Sequence, residues 1–154
     1  MNKFSRSGPL LNGRWLVGAI ALLSLLASIA VPSYMGFAER GRVAQAISDM
    51  GRIQLAVERH RLNNSDEFPA SLAEVQLDTL KDPWGRPYEY LNVSLAGDIG
   101  QLRKDKNLVP LNTDFDLYSN GPDGASQKPL NAAVSRDDIV RANNGAYVGK
   151  AEDY

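Results

Sequence analysis

Few side chains in this 154-residue sequence are suited to catalysis. There is no cysteine, which excludes a thiolate nucleophile, a thiolate metal site and a disulfide. His60 is the only histidine and lies between Arg59 and Arg61, where a solvated histidine is more ordinary than a general base. We find no Ser/His/Asp set and no phosphate-binding glycine loop. The sequence therefore predicts a protein that is not an enzyme.

The C-terminal third is instead rich in oxygen donors. Asp123 lies in a Pro-Asp-Gly turn, and Asp137 and Asp138 follow after a polar segment. Carboxylates, hydroxyls and turn carbonyls without histidine suit calcium, which binds six to eight hard oxygen atoms. The spacing is not that of an EF-hand. The residues alone favour a simpler interpretation, in which Asp123 stabilises its turn and Asp137 caps a short helix.

The element that organises the chain is an apolar run from Trp15 to Ala38 without a charged side chain. A helix that crosses the hydrocarbon core of a bilayer needs about 20 residues. All 18 acidic residues follow the run, and the residues that precede it include only the basic Lys3, Arg6 and Arg14. The run therefore predicts a transmembrane helix.

The charge asymmetry also predicts the topology. By the positive-inside rule, residues 1–14 form a short cytoplasmic tail, residues 15–38 span the membrane, and residues 39–154 form one domain on the far side. The alternative is a cleaved signal peptide with Ser28 and Ala30 at the cleavage site, which would release a soluble domain. The domain has more acidic than basic residues, which gives no reason to expect nucleic-acid binding.

Beyond the run, residues 39–62 predict an amphipathic helix with one face to bury. Its apolar residues recur at intervals of three and four, with Ala46 and Gln54 beside them: Val43, Ile47, Met50, Ile53 and Val57. The two segments together predict one helix from about Arg14 to Leu62, which is about 70 Å long at 1.5 Å per residue. Pro32 removes one of its backbone donors.

The remainder predicts a small sheet connected by loops. Ser71 to Glu74 has the form of a capping box and predicts a helix through about Leu80. Residues 81–87 form a rigid loop around Trp84. Strands are predicted around Tyr88 and Tyr90 and around Phe115 and Leu117, with a hairpin between residues 97 and 110. Residues after Tyr118 read mostly as loop.

Four segments give the sequence a resemblance to a known family. They are Ala30-Val31-Pro32-Ser33-Tyr34, Arg42-Val43-Ala44-Gln45-Ala46, Asp82 to Tyr88 (DPWGRPY) and Asp116 to Gly124 (DLYSNGPDG). The first two resemble the type IV pilins and pseudopilins, and the last two resemble the major pseudopilin of type II secretion systems.

The resemblance implies an α+β fold, in which a long N-terminal helix packs on a small antiparallel sheet followed by a C-terminal loop. It implies a structural subunit of a pseudopilus or pilus-like filament that supports secretion. The partners would be further copies, other pseudopilins and the secretion machinery. The location would be the bacterial inner membrane, with residues 39–154 in the periplasm.

The resemblance also implies a calcium site in the C-terminal loop. The matching positions are Asn120 through its backbone carbonyl, and Asp123, Ser135 and Asp137 through their side chains, with Asp138 adjacent. Eleven residues separate Asp123 from Ser135, which is more than is usual in the family.

The N-terminus departs from the family pattern. Members carry a glycine before a phenylalanine-led run with a glutamate inside it, whereas here Gly8 and Gly13 lack that context and no acid precedes Glu39. Trp15 or a neighbour takes the place of the glutamate. A membrane-tethered module that does not polymerise and binds a periplasmic partner is therefore the alternative function.

Overall fold

The computed structural model describes residues 13–106 and 108–154, apart from the side chain of Arg14. The predicted tail at residues 1–14, including Gly8, therefore lies almost entirely outside the described residues. The chain forms two compact units, one that ends at Glu39 and one that begins at Arg40.

The first unit is the apolar part of helix α1, which begins at Gly13 and ends at Asn63. The large apolar side chains between Trp15 and Phe37 are exposed. Hydroxyl groups of Ser24, Ser28 and Ser33 donate to carbonyl oxygens one turn earlier in the same helix. These polar groups are therefore satisfied inside the helix, as an apolar surrounding requires.

In the second unit, α1 packs on a sheet through the predicted stripe. Ala46, Met50, Ile53 and Val57 are buried, whereas Val43 and Ile47 are partly buried. Their partners in the core are mostly residues in the sheet or directly before it: Tyr88, Phe115, Leu117 and Ile139. The amphipathic helix and the side that it buries are thus confirmed.

Within the described residues, the sheet has four antiparallel strands in sequential order. They are β1 (Glu89–Asn92), β2 (Phe115–Ser119), β3 (Ile139–Ala142) and β4 (Tyr147–Lys150). In the register, Leu117 faces Tyr90 and Tyr118 faces Val140. The α+β class and the two predicted strands are confirmed.

The prediction that residues after Tyr118 are mostly loop missed two strands. Strands β3 and β4 lie there, and each has only four residues. All four residues of β3, including Arg141, are buried. A short strand that is buried on both faces lacks the alternation of polar and apolar residues by which a strand is recognised.

The predicted helix from Ser71 to Leu80 is also corrected. Only a 3₁₀ turn forms, at Leu72–Val75, and Ser71 makes no side-chain capping bond. Glu74 Oε2 instead accepts a hydrogen bond from Ala70 N. Gln76 adopts a left-handed conformation (φ 58°), which ends the turn.

No hairpin of two strands forms between residues 97 and 110 in the part that the structure describes. The chain there makes a 3₁₀ turn at Ile99–Gln101 and isolated bridges. Asp98 accepts a hydrogen bond from the backbone N–H of Gly100. Such local bonds from aspartate favour turns over the ladder of a sheet.

Candidate functional site

Two loops interlock at one end of β2, and both belong to the segments that carry the family resemblance. The first is residues 81–87, which we name the tryptophan loop, and the second is residues 119–125, the glycine loop. Asp82 is 4% exposed, and its Oδ1 accepts hydrogen bonds from Trp84 N (3.0 Å) and Arg86 N (2.8 Å). Asp82 N also donates to Arg86 O at 2.7 Å. One aspartate thus closes the tryptophan loop from both its side chain and its backbone.

Ser119 connects the two loops. Its hydroxyl donates to Asp82 Oδ2 at 2.5 Å and accepts from Gly121 N at 3.2 Å. Both Asp82 and Ser119 are buried, so these bonds are shielded from water. A buried bond that includes a charged group is worth about 1.5–3 kcal/mol.

Arg86 makes the second connection. Its Nη1 donates to Gly121 O at 2.5 Å and its Nη2 donates to Pro122 O at 3.2 Å. The glycine loop can approach because two of its residues have no side chain and positive φ, Gly121 at 60° and Gly124 at 73°. A β-carbon at Gly124 would stand 2.5 Å from Cζ of Arg86. Gly124 therefore leaves room for the guanidinium group.

The structure brings together two of the four predicted metal ligands. Asp123 N donates to Asp137 Oδ2 at 3.3 Å, so the glycine loop lies against the segment that begins β3. Asp123 Oδ1 accepts from Ala125 N at 2.7 Å, as expected for an aspartate that stabilises its own turn.

The other two predicted ligands are committed elsewhere. The hydroxyl of Ser135, which is fully buried, accepts from Gln127 N and donates to Gln127 O, both at 2.8 Å. The carbonyl of Asn120 accepts from Gly124 N at 3.1 Å. The side-chain oxygen of Asn120 is buried and has no hydrogen-bond partner.

Asp138, next to the predicted set, belongs to a buried ion pair. Its Oδ2 accepts from Arg103 Nη2 (2.8 Å) and Ser126 Oγ (2.6 Å), whereas its Oδ1 has no hydrogen-bond partner. Burial raises the pKa of Asp138, and the bonds from Ser126 and Arg103 oppose that rise. Arg103 also stacks over Tyr118, with Cζ 4.4 Å from the ring centre.

These contacts test the fit of calcium to the loop. Two adjacent carboxylates and a carbonyl fall short of the six to eight oxygens that calcium binds. In the described ranges, no group of three or more acidic or histidine side chains could hold a metal ion. The carbonyls of Gly121 and Pro122 already accept from a cation, Arg86. The residues do not fit a calcium cage in this conformation, and calcium binding stays a prediction.

Sequence reasoning missed the part that Arg86, Arg103 and Arg141 play inside the domain. Arg103 and Arg141 are each 2% exposed. Arg141 bonds to Asp114 on both carboxylate oxygens and to Phe115 O. For Arg141, the signal in the sequence that indicated burial was its place as the single arginine inside an otherwise apolar tetrapeptide, Ile139 to Ala142.

A second candidate surface is the apolar part of α1. Within the described residues, one helix is long and apolar enough to cross a membrane, and none of the residues in its most apolar stretch is buried.

His60, weighed above as a general base, instead lies next to a carboxylate. Its Nε2 is 3.5 Å from Glu74 Oε2.

Comparisons with known proteins point to one group of relatives. The chain is 31% identical over 134 residues to the type II secretion system core protein G of Dickeya chrysanthemi, and the match covers 83% of each chain. The protein of that name in Pectobacterium carotovorum is 28% identical over 80% of this chain and 83% of its own. For the Escherichia coli K12 protein the identity is 30%, over 68% of this chain and 75% of its own.

The two other comparisons gave nothing. No family model matches the chain, and no solved structure matches it.

Proposed function

Because the chain belongs to the family of the type II secretion system core protein G, the major pseudopilin, we propose that it is a structural subunit of a secretion pseudopilus or a related pilus-like filament. One observation carries the proposal. Helix α1 has an apolar part whose large side chains are exposed, and its other part is buried against a sheet. Exposed apolar area of this extent requires a lipid or protein partner.

In this proposal, the apolar part of α1 is in contact first with lipid and then with other protein subunits. Before assembly, residues 15–38 lie in the inner membrane as a single span, with the N-terminus in the cytoplasm and residues 39–154 in the periplasm. After assembly, the same side chains pack against the helices of neighbouring copies and of other pseudopilins. The relatives are named as secretion proteins, which fits a chain without catalytic activity.

The alternative is a tethered module that does not polymerise and binds a periplasmic partner. It is favoured by the absence of an acidic residue before Glu39. A carboxylate inside a membrane segment is costly unless it is paired, so its presence would indicate subunit pairing. Without one, copies would have to associate by apolar packing alone.

Cross-linking in membranes separates the two functions, because the protein has no cysteine of its own. A double variant, Leu16→Cys with Leu26→Cys, places two thiols on exposed positions of the apolar part. A polymer gives a ladder of cross-linked species beyond the dimer. A chain that does not polymerise gives monomer, or at most dimer.

The controls identify the packing surface. Adding Leu23→Asp should abolish the ladder, whereas adding Leu23→Met, which conserves size and polarity class, should keep it. Leu23 is exposed at 65%, so neither change disturbs the domain core. The absence of a ladder in the double variant would favour the tethered module, and a ladder that survives Leu23→Asp would contradict association through the apolar helices.

A further inference from the structure

We propose that Arg86 is the built-in cation of the glycine loop, and that it holds residues 119–125 in their folded conformation without a bound metal ion. The inference concerns how this chain completes its outer domain and does not depend on filament assembly. It starts from the failure of the predicted ligand set to form a calcium cage.

The loop requires a donor for the carbonyl oxygen of Gly121, which is buried. Its contact with the segment before β3 includes a bond from Asp123 N to Asp137 Oδ2 at 3.3 Å. The loop also has little apolar content to offset the entropy of ordering it, which is about 1–2 kcal/mol per residue.

Arg86 meets that requirement with two directed bonds. Its planar guanidinium donates to the carbonyls of Gly121 and Pro122, the two residues that immediately precede Asp123. A guanidinium group presents several donors in a fixed geometry, and therefore suits two carbonyls at once better than the point charge of a lysine. No carboxylate lies within ion-pair distance of Arg86 among the described residues, so its charge is directed to the loop.

The group is held in place before it acts. Both the N–H and the carbonyl of Arg86 are bonded to Asp82, and Asp82 is bonded in turn to Ser119 at the start of the glycine loop. The backbone of Arg86 and the loop that it binds are therefore fixed by the same buried carboxylate. This arrangement fixes the backbone from which the side chain of Arg86 reaches the loop, which lowers the entropy lost when the guanidinium group binds.

The geometry also explains why position 124 is a glycine. A β-carbon there would lie 2.5 Å from both Cζ and Nε of Arg86. The guanidinium group of Arg86 occupies the space that a side chain at position 124 would need.

The test is amide hydrogen exchange of the full chain in detergent, read on the peptide that contains the Gly121 and Gly124 amides. Both amides are hydrogen-bonded, to Ser119 Oγ and Asn120 O respectively. Wild-type exchange should be the same in excess calcium and in chelator. Arg86→Met should speed exchange of this peptide roughly tenfold in both conditions, because the bonds from a charged donor are lost.

Two further variants complete the design. Arg136→Met removes an exposed positive charge next to Asp137 without removing a bond to the glycine loop, so it should leave exchange unchanged. Arg86→Lys keeps the charge but not the planar group, and its exchange rate should lie between those of the wild type and Arg86→Met. If Arg86→Met does not fold, Arg86→Lys should still exchange faster than the wild type.

Two results would overturn the proposal. The first is slower wild-type exchange in calcium that Asp123→Ala or Asp137→Ala removes, because the loop would then be held by a metal ion. The second is unchanged exchange in both Arg86 variants, because the loop would then be held without the guanidinium group.

Discussion

Arg141 provides the sharpest test of how the outer domain is held together. Its guanidinium group bonds Asp114, the residue before β2, at 2.8 and 2.5 Å and Phe115 O at 3.0 Å. It also reaches Gln54 Oε1 on α1 at 3.3 Å and stacks over the ring of Phe115 at 3.9 Å. One side chain on β3 thus connects the helix to the neighbouring strand, and Arg141→Met removes all of its polar contacts.

The size of the loss follows from burial. The side chain of Arg141 is 1% exposed and that of Asp114 is 17% exposed. Removing one partner of a buried ion pair costs about 3–5 kcal/mol, because the other charge is left uncompensated. Since Asp114 retains some contact with water, we expect a loss of about 3 kcal/mol, at the lower end. For a domain of this size that corresponds to a fall in Tm of roughly 12 °C.

The assay is thermal unfolding of the full chain in detergent, followed by fluorescence. Trp15→Phe as the common background leaves Trp84, in the tryptophan loop, as the only tryptophan. Lys150→Met is the matched control, because Lys150 makes an ion pair with Glu152 in which both side chains contact water, at 31% and 47% exposure. An exposed pair contributes about 0.2–1 kcal/mol, so the control should lower Tm by no more than a few degrees.

A second substitution separates the charge effect from the packing effect. Adding Asp114→Asn to Arg141→Met removes the uncompensated carboxylate and should recover part of the lost Tm. If Arg141→Met unfolds within about 2 °C of its background, the connection between helix and sheet does not depend on this residue and the reasoning is refuted.

Two more predictions concern the glycine loop and the buried carboxylates. Gly121→Ala should lower the free energy of unfolding by about 1–3 kcal/mol in denaturant unfolding, because φ is +60° and a β-carbon would overlap the carbonyl of Asp137. The control Gly51→Ala, in open space on α1, should be neutral or stabilising. Equal effects of the two substitutions would contradict the close approach of Gly121 to Asp137. Burial raises the pKa of Asp116, so the folded state keeps this proton to a higher pH than the unfolded state, and its contribution to stability falls as pH rises from about 4 through the raised pKa. Asp116→Asn should remove that part of the pH dependence, and a wild-type stability that rises relative to the variant over this range would show the opposite sign.

The sequence by itself determined helix α1 and which part of it is exposed and which part packs on the sheet. Charge-free residues from Trp15 to Ala38 and apolar residues at intervals of three and four beyond Glu39 are local patterns, and each turn of a helix repeats them. The stripe from Ala46 to Val57 was accordingly buried as predicted.

Only the tertiary structure decided what the polar residues do. Arg103 and Arg141 are both buried because carboxylates distant in sequence, Asp138 and Asp114, fold against them. Ser135 read as a metal ligand, but its hydroxyl is used by the backbone of Gln127. The physical reason is that a polar group is free to bind a ligand only if no other group satisfies it first, and its competitors come from segments that only the complete fold brings together.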